Sequence, residues 1–117
     1  MATAAVQGEL EKGRPVLSVC FGPGDGARLA SGGADGRVKV WEVATGAVQA
    51  ELEHGGGNVF SVCFSPGDGA RLASGGADGR VMVWEVATGA VQVELEHGKP
   101  VFSVCFGPAD GARLASA

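Results

Sequence analysis

The chain has 117 residues, a formal net charge of −4, 45% apolar residues, 19% charged residues and 21 glycines, a balance that excludes a disordered tail and describes short buried strands parted by tight turns. Lysine and arginine are scattered singly, which leaves no footprint for a phosphate backbone or an anionic membrane surface. The opening MATAAVQGELEKG lacks the basic start and apolar core of a secretory signal, and no stretch approaches the roughly 18 apolar residues of a membrane helix, so a cytosolic protein is expected.

Val6 to Glu11 (VQGELE) reads as a strand, d, whose pattern returns at Val48 to Glu53 (VQAELE) and Val91 to Glu96 (VQVELE). Val16 to Phe21 (VLSVCF), strand a, is rich in β-branched and aromatic residues with almost no polar alternation, the composition of a strand covered on both faces. Gly22 to Gly26 (GPGDG) is turn chemistry, because proline fixes φ and glycine accepts the positive φ of a hairpin. Arg28 to Ser31 forms strand b, Gly32 to Gly36 (GGADG) a second tight turn, Arg37 to Val43 (RVKVWEV) strand c, and Ala44 to Gly46 turns the chain into the next strand d. One module is therefore a four-stranded antiparallel meander.

The module then repeats. Between Val16–His54 and Val59–His97, 39 aligned positions differ at four, Leu17/Phe60, Gly22/Ser65, Lys39/Met82 and Ala50/Val93. A third copy opens at Val101 (VFSVCFGPADGARLASA) and runs into strand b. Trp41 and Trp84 lie 43 residues apart, and a period of this size marks units that bury their faces only against neighbours. The expectation is eleven strands and no helix, since the apolar pattern has period two and glycine would break a helix at every turn.

Cys20, Cys63 and Cys105 fall at one equivalent strand position per module and form no CxxC pair. They are expected as small buried residues of an inner strand, with no disulfide, no metal and no cofactor. GPGDG and GGADG lack the following helix and the lysine of a phosphate-binding loop. The glycine-aspartate pattern also lacks the short period of calcium-binding repeats, so hairpin turns remain the expectation.

Leu52, His54, Val59, SVCFSP from Ser61 to Pro66, Asp68-Gly69, LASGG from Leu72 to Gly76, Asp78-Gly79 and Trp84-Glu85 together resemble the repeat of the WD-repeat β-propeller family over nearly the whole chain. Histidine precedes glycine where the family has Gly-His, and Glu42 and Glu85 stand where it usually has aspartate. The resemblance implies an all-β partial β-propeller of four-stranded antiparallel blades: an N-terminal segment with an outer strand (1–15), two complete blades (16–53 and 54–97) and a truncated third (98–117). It also implies a buried structural relay of histidine, serine, aspartate and tryptophan. His54, Ser74, Asp78 and Trp84 match it in the second module, Ser31, Asp35 and Trp41 in the first, where Lys12 stands at the histidine position, and His97 with Ser116 in the third.

A catalytic Ser-His-Asp set would need its serine exposed beside an oxyanion pocket, whereas this serine sits inside a short apolar strand, so no enzyme is expected. By resemblance the function is a protein-protein scaffold, with Leu17, Phe60, Phe102, Ala34 and Ala77 at the partner-facing positions. Those aromatic residues either form an apolar rim or pack into the blade interface. The alternative is a self-assembling or truncated propeller fragment with no ligand of its own, because two complete blades leave faces and a strand edge uncovered. The expected partners are thus other proteins or copies of itself, in a homo-oligomer or a larger propeller, and neither nucleic acid nor membrane.

Overall fold

The structure, a computed structural model, describes residues 15–24, 26–55, 57–107 and 113–117. The leading strand expected at Val6 to Glu11, and with it Lys12, lies outside the described residues. Ten strands are described: β1 (Val16–Phe21), β2 (Arg28–Gly33), β3 (Arg37–Glu42), β4 (Ala47–Glu53), β5 (Val59–Phe64), β6 (Arg71–Gly76), β7 (Arg80–Glu85), β8 (Ala90–Glu96), β9 (Val104–Phe106) and β10 (Leu114–Ser116). They form two antiparallel meanders, β1-β2-β3-β4 and β5-β6-β7-β8, and a β9-β10 hairpin.

Local chemistry sets the turns. Asp35 Oδ1 accepts the Arg37 N–H at 3.1 Å while Gly36 takes a φ of +80°, and Asp78, Arg80 and Gly79 repeat the arrangement. Between β3 and β4, Thr45 Oγ1 donates to Glu42 Oε1 at 2.9 Å and accepts the Ala47 N–H at 3.2 Å. Strand c accordingly ends at Glu42, one residue before the sequence reading placed its end. Strand b, in contrast, runs on through Gly33 and Gly76.

The reason for that longer strand lies in the neighbouring sheet. A Cβ on Gly32 would meet Val59 Cγ1 at 2.6 Å and Val62 Cγ1 at 3.0 Å, and one on Gly75 would meet Val101 Cγ1 at 2.5 Å and Val104 Cγ1 at 3.0 Å. These two glycines serve close approach, and the turn begins only at Ala34 and Ala77.

The apolar core sits between sheets. Ala30, Val38, Val40 and Leu52 of the first meander close on Val59, Val62, Phe64, Leu72, Met82 and Trp84 of the second. Ala73, Val81 and Val83 then close on Val101, Val104 and Phe106. Full burial of one such aliphatic side chain is worth about 1.5–3 kcal/mol, and a meander standing alone would forfeit it on both faces.

Two expectations need correction. Strand a is not always covered on both faces: Val19 and Phe21 of β1 are 59% and 62% exposed, whereas their counterparts Val62 and Phe64 in β5 are 5% and 6% exposed. Among the described residues no sheet stands in front of β1. Nor are the cysteines buried, since Cys20 and Cys63 are half-buried and Cys105 is exposed. Strand a forms one edge of each sheet, and that edge leaves the thiols within reach of solvent. The Lys39/Met82 difference also depends on the neighbouring sheet: Met82 is buried in the first core, while Lys39 is half-buried on β3 and holds its ammonium 5.7 Å from the Trp41 ring centre.

Candidate functional site

Two groups of residues stand out from the repeating core, a polar chain inside the second sheet and an apolar row along the start of the inner strands. The polar chain begins on β6 and β7, whose register sets Leu72 opposite Trp84 and Ser74 opposite Met82. Trp84 Nε1–H donates to Ser74 Oγ at 3.3 Å, Ser74 Oγ lies 2.6 Å from His54 Nδ1, and His54 Nε2 lies 3.0 Å from Asp78 Oδ1. Because a carboxylate only accepts, Nε2 carries a proton toward Asp78. Asp78 Oδ1 also accepts the Arg80 N–H at 3.0 Å, tying the chain to its turn. Among the described residues Asp78 Oδ2 is buried without a hydrogen-bond partner.

His54 reaches this position from the preceding sheet. Its backbone N–H donates to Gly36 O at 2.9 Å, so the turn of the first meander holds the histidine of the second. Gly76 leaves room for the ring, since a Cβ there would meet His54 Nε2 at 3.0 Å. His97 repeats the docking on Gly79 O at 2.8 Å.

The other two modules hold parts of the same arrangement. In the first, Trp41 Nε1–H donates to Ser31 Oγ at 2.9 Å, and Asp35 caps its turn through Arg37. In the third, His97 Nδ1 lies 2.8 Å from Ser116 Oγ. Ser74 is fully buried, and its single oxygen is engaged by both an indole and an imidazole.

The apolar row is built by bulges. Register slips between Val16 and Ser18, and again between Val59 and Ser61, leaving Leu17 and Phe60 as the extra residues of their strands. At the third module the N–H groups of Phe102 and Ser103 both donate to Ala117 O, at 2.7 and 3.1 Å. A bulge turns one side chain out of the alternating pattern, and here it brings the same position to one rim three times. The Phe60 and Phe102 rings stack at 5.0 Å between centroids and 26° between planes, and Phe102 remains 65% exposed. Ala34 and Ala77 reach the same end, donating their N–H groups to Pro15 O at 3.0 Å and Asn58 O at 2.9 Å.

Several contributors were not singled out from the sequence. Ser18 Oγ accepts the Val62 N–H and Ser61 Oγ the Val104 N–H, each at 3.2 Å, so one serine per module ties neighbouring inner strands together. Arg28 donates to Asp68 O at 2.8 Å while its guanidinium carbon lies 4.9 Å from the Phe64 ring centre. The signal that could have found the serines was their recurrence as the one polar residue of each otherwise apolar strand. Among the described residues no group of three or more histidine, cysteine, aspartate or glutamate side chains is placed to hold a metal ion.

With this geometry in hand, the comparisons with known proteins are specific. The sequence profile of the WD domain, G-beta repeat matches residues 6–42 and 46–85, more than half of the chain. The crystal structure of the Cps50 (Swd1) β-propeller domain of Myceliophteria thermophila superimposes with a TM-score of 0.84 and 27% identity, covering 92% of this chain and 32% of that one. The chain therefore spans about a third of the length of that domain. No curated protein sequence matches it.

The inner strands also bring two thiols together. The neighbouring Cys63 side chain is the main cause that brings the Cys20 pKa down to about 6, with burial opposing it and the Phe64 backbone adding to it, and the same pairing pushes Cys63 up. Since the thiolate is the nucleophile, iodoacetamide should alkylate Cys20 with a pH midpoint near 6. Mass-spectrometric mapping across pH checks this. Cys63→Ala should raise the midpoint by about two units toward the ordinary thiol value, and an unchanged midpoint would contradict the assignment.

Proposed function

The chain belongs to the WD domain, G-beta repeat family, and on that premise we propose that it is a non-catalytic protein-protein interaction module, cytosolic, which receives its partner on the rim formed by Leu17, Phe60 and Phe102 beside Ala34 and Ala77. The observation that carries this reading is the exposed, stacked Phe102 on Phe60. A large apolar ring left in water and backed by a second ring is a ready anchor, because aromatic residues in desolvated pockets dominate interface energies. The stack supports the rim and the interface reading together, since Phe60 bridges the blades while Phe102 presents its outer face. The commitment of Ser74 to Trp84 and His54 supports a holding role for the Ser-His-Asp set.

A second reading, self-association, is favoured by one specific observation: the face of β1 presents Val16, Val19 and Phe21 to solvent, the same residue types that β5 buries at its junction. Identical modules allow heterologous docking of one copy's trailing face on another's leading face. Sedimentation velocity separates the two. A monomer at micromolar concentration that converts to larger species only above it supports the rim, and a discrete ring-sized species already at micromolar concentration supports self-assembly.

Peptides selected from a displayed library against the chain should lose about tenfold or more in affinity for a Phe60→Asp, Phe102→Asp variant whose unfolding midpoint is retained. Undiminished binding would remove the rim from the account.

A further inference from the structure

Cysteine recurs once per module, at Cys20 on β1, Cys63 on β5 and Cys105 on β9, and all three are free thiols. Each donates to the carbonyl of the residue after it, Cys20 to Phe21 O at 3.4 Å, Cys63 to Phe64 O and Cys105 to Phe106 O, both at 3.3 Å. Cys20 packs against the first core and Cys63 against the second. The side chains are therefore turned the same way on successive inner strands.

The first two of these thiols meet. Ser18 Oγ accepts the Val62 N–H at 3.2 Å, which sets β1 and β5 side by side. Two residues further along β1, on the same face as Ser18, stands Cys20. The Cys63 side chain and the Phe64 backbone lie against its sulfur, and the Phe106 backbone lies against that of Cys63. This face of β1 is the one opposite Val19 and Phe21, so the pair belongs to the junction between two complete four-stranded sheets.

Two thiols in this relation suit an ion between them better than a bond between them. A disulfide needs Cβ atoms that face each other at about 3.5–4.5 Å, whereas equivalent residues of a repeat point in parallel and set their sulfurs beside one another. A soft cation accepts one sulfur on either side, and thiolates select ions of that kind. Zinc calls for about four ligands, and among the described residues no group of three or more histidine, cysteine, aspartate or glutamate side chains could serve it. Val62 and Phe64, buried beside Cys20, supply the dry apolar wall that limits water at such a site.

We propose that Cys20 Sγ and Cys63 Sγ form a two-coordinate site for a soft univalent cation, Cu(I), held across the junction of the first and second sheets. The ion takes the place of the thiol protons and ties β1 to β5. The expectation of no metal rested on the lack of a CxxC pair, but these two ligands lie 43 residues apart and meet only because the module repeats. The site is independent of the apolar rim.

The test titrates the reduced 117-residue chain with Cu(I) in the absence of oxygen, in competition with bicinchoninate. One ion per chain is expected, with thiolate-to-metal absorption in the ultraviolet. Cys20→Ser and Cys63→Ser should each weaken binding by at least about a hundredfold, and Cys105→Ser should leave it unchanged. Alanine replacements that keep the parent's unfolding midpoint should repeat the pattern. Because the ion binds only the folded junction, Cu(I) should raise the urea midpoint of the parent and leave that of Cys63→Ser where it is. Failure to bind against bicinchoninate overturns the proposal, as does an equal loss in Cys105→Ser. Uptake of one ion per thiol would mean an adventitious ion only, and a dimer formed on adding Cu(I), seen by sedimentation, would place the two sulfurs on different chains; either result overturns it.

Discussion

The dependence of each sheet on its neighbour governs this structure, and the contact that enforces it is the approach of β2 and β6 to the valines of the following module. Gly32 against Val59 and Val62, and Gly75 against Val101 and Val104, set two sheets closer than any side chain on those positions would permit. That distance lets Ala30, Val38 and Val40 reach Trp84, Phe64 and Leu72, so the core forms across the junction. Ser18 and Ser61, each accepting a backbone N–H from the next inner strand, fix the register of the same approach. The chain is a stack whose stability is nearest-neighbour in kind.

Polar groups inside so thin an apolar wall must be satisfied locally, because a buried donor or acceptor left alone costs about 1–3 kcal/mol. His54 meets this by bridging Ser74 and Asp78, while its backbone hangs from the Gly36 carbonyl of the sheet before. The relay therefore crosses the junction as the core does. Its last members, Trp84 on the inside and Asp78 at the turn, connect the buried face to the end where Ala77 and the bulged Phe60 lie. Packing and presentation are consequences of one register.

Much of this was legible in the residues. The 43-residue beat, the alternation of strands and the Asp-Gly turns gave the meanders and their order, and the resemblance gave the partners of the polar chain. What stayed hidden depends on neighbours that no single segment reveals. Gly32 and Gly75 read as turn residues because glycine's use in a close approach looks the same in sequence as its use in a turn. The bulges that turn Leu17 and Phe60 outward are a slip between two strands, visible only in the pairing. Val16–Phe21 and Val59–Phe64 are nearly identical in sequence, yet one is exposed and the other covered, since coverage is set by what stands in front. The strand composition implies buried cysteines, whereas the edge position of that strand decides their exposure.

Denaturant unfolding of Gly32→Ala tests the central constraint most directly, because the sign of the effect decides it. Alanine in place of glycine within an ordinary strand stabilises by roughly 0.5–1 kcal/mol through the unfolded chain. Here the added methyl must displace Val59 and Val62, so the account predicts a loss of about 1–3 kcal/mol in unfolding free energy. A variant as stable as the parent, or more so, would contradict it and place the core somewhere other than the junction between sheets.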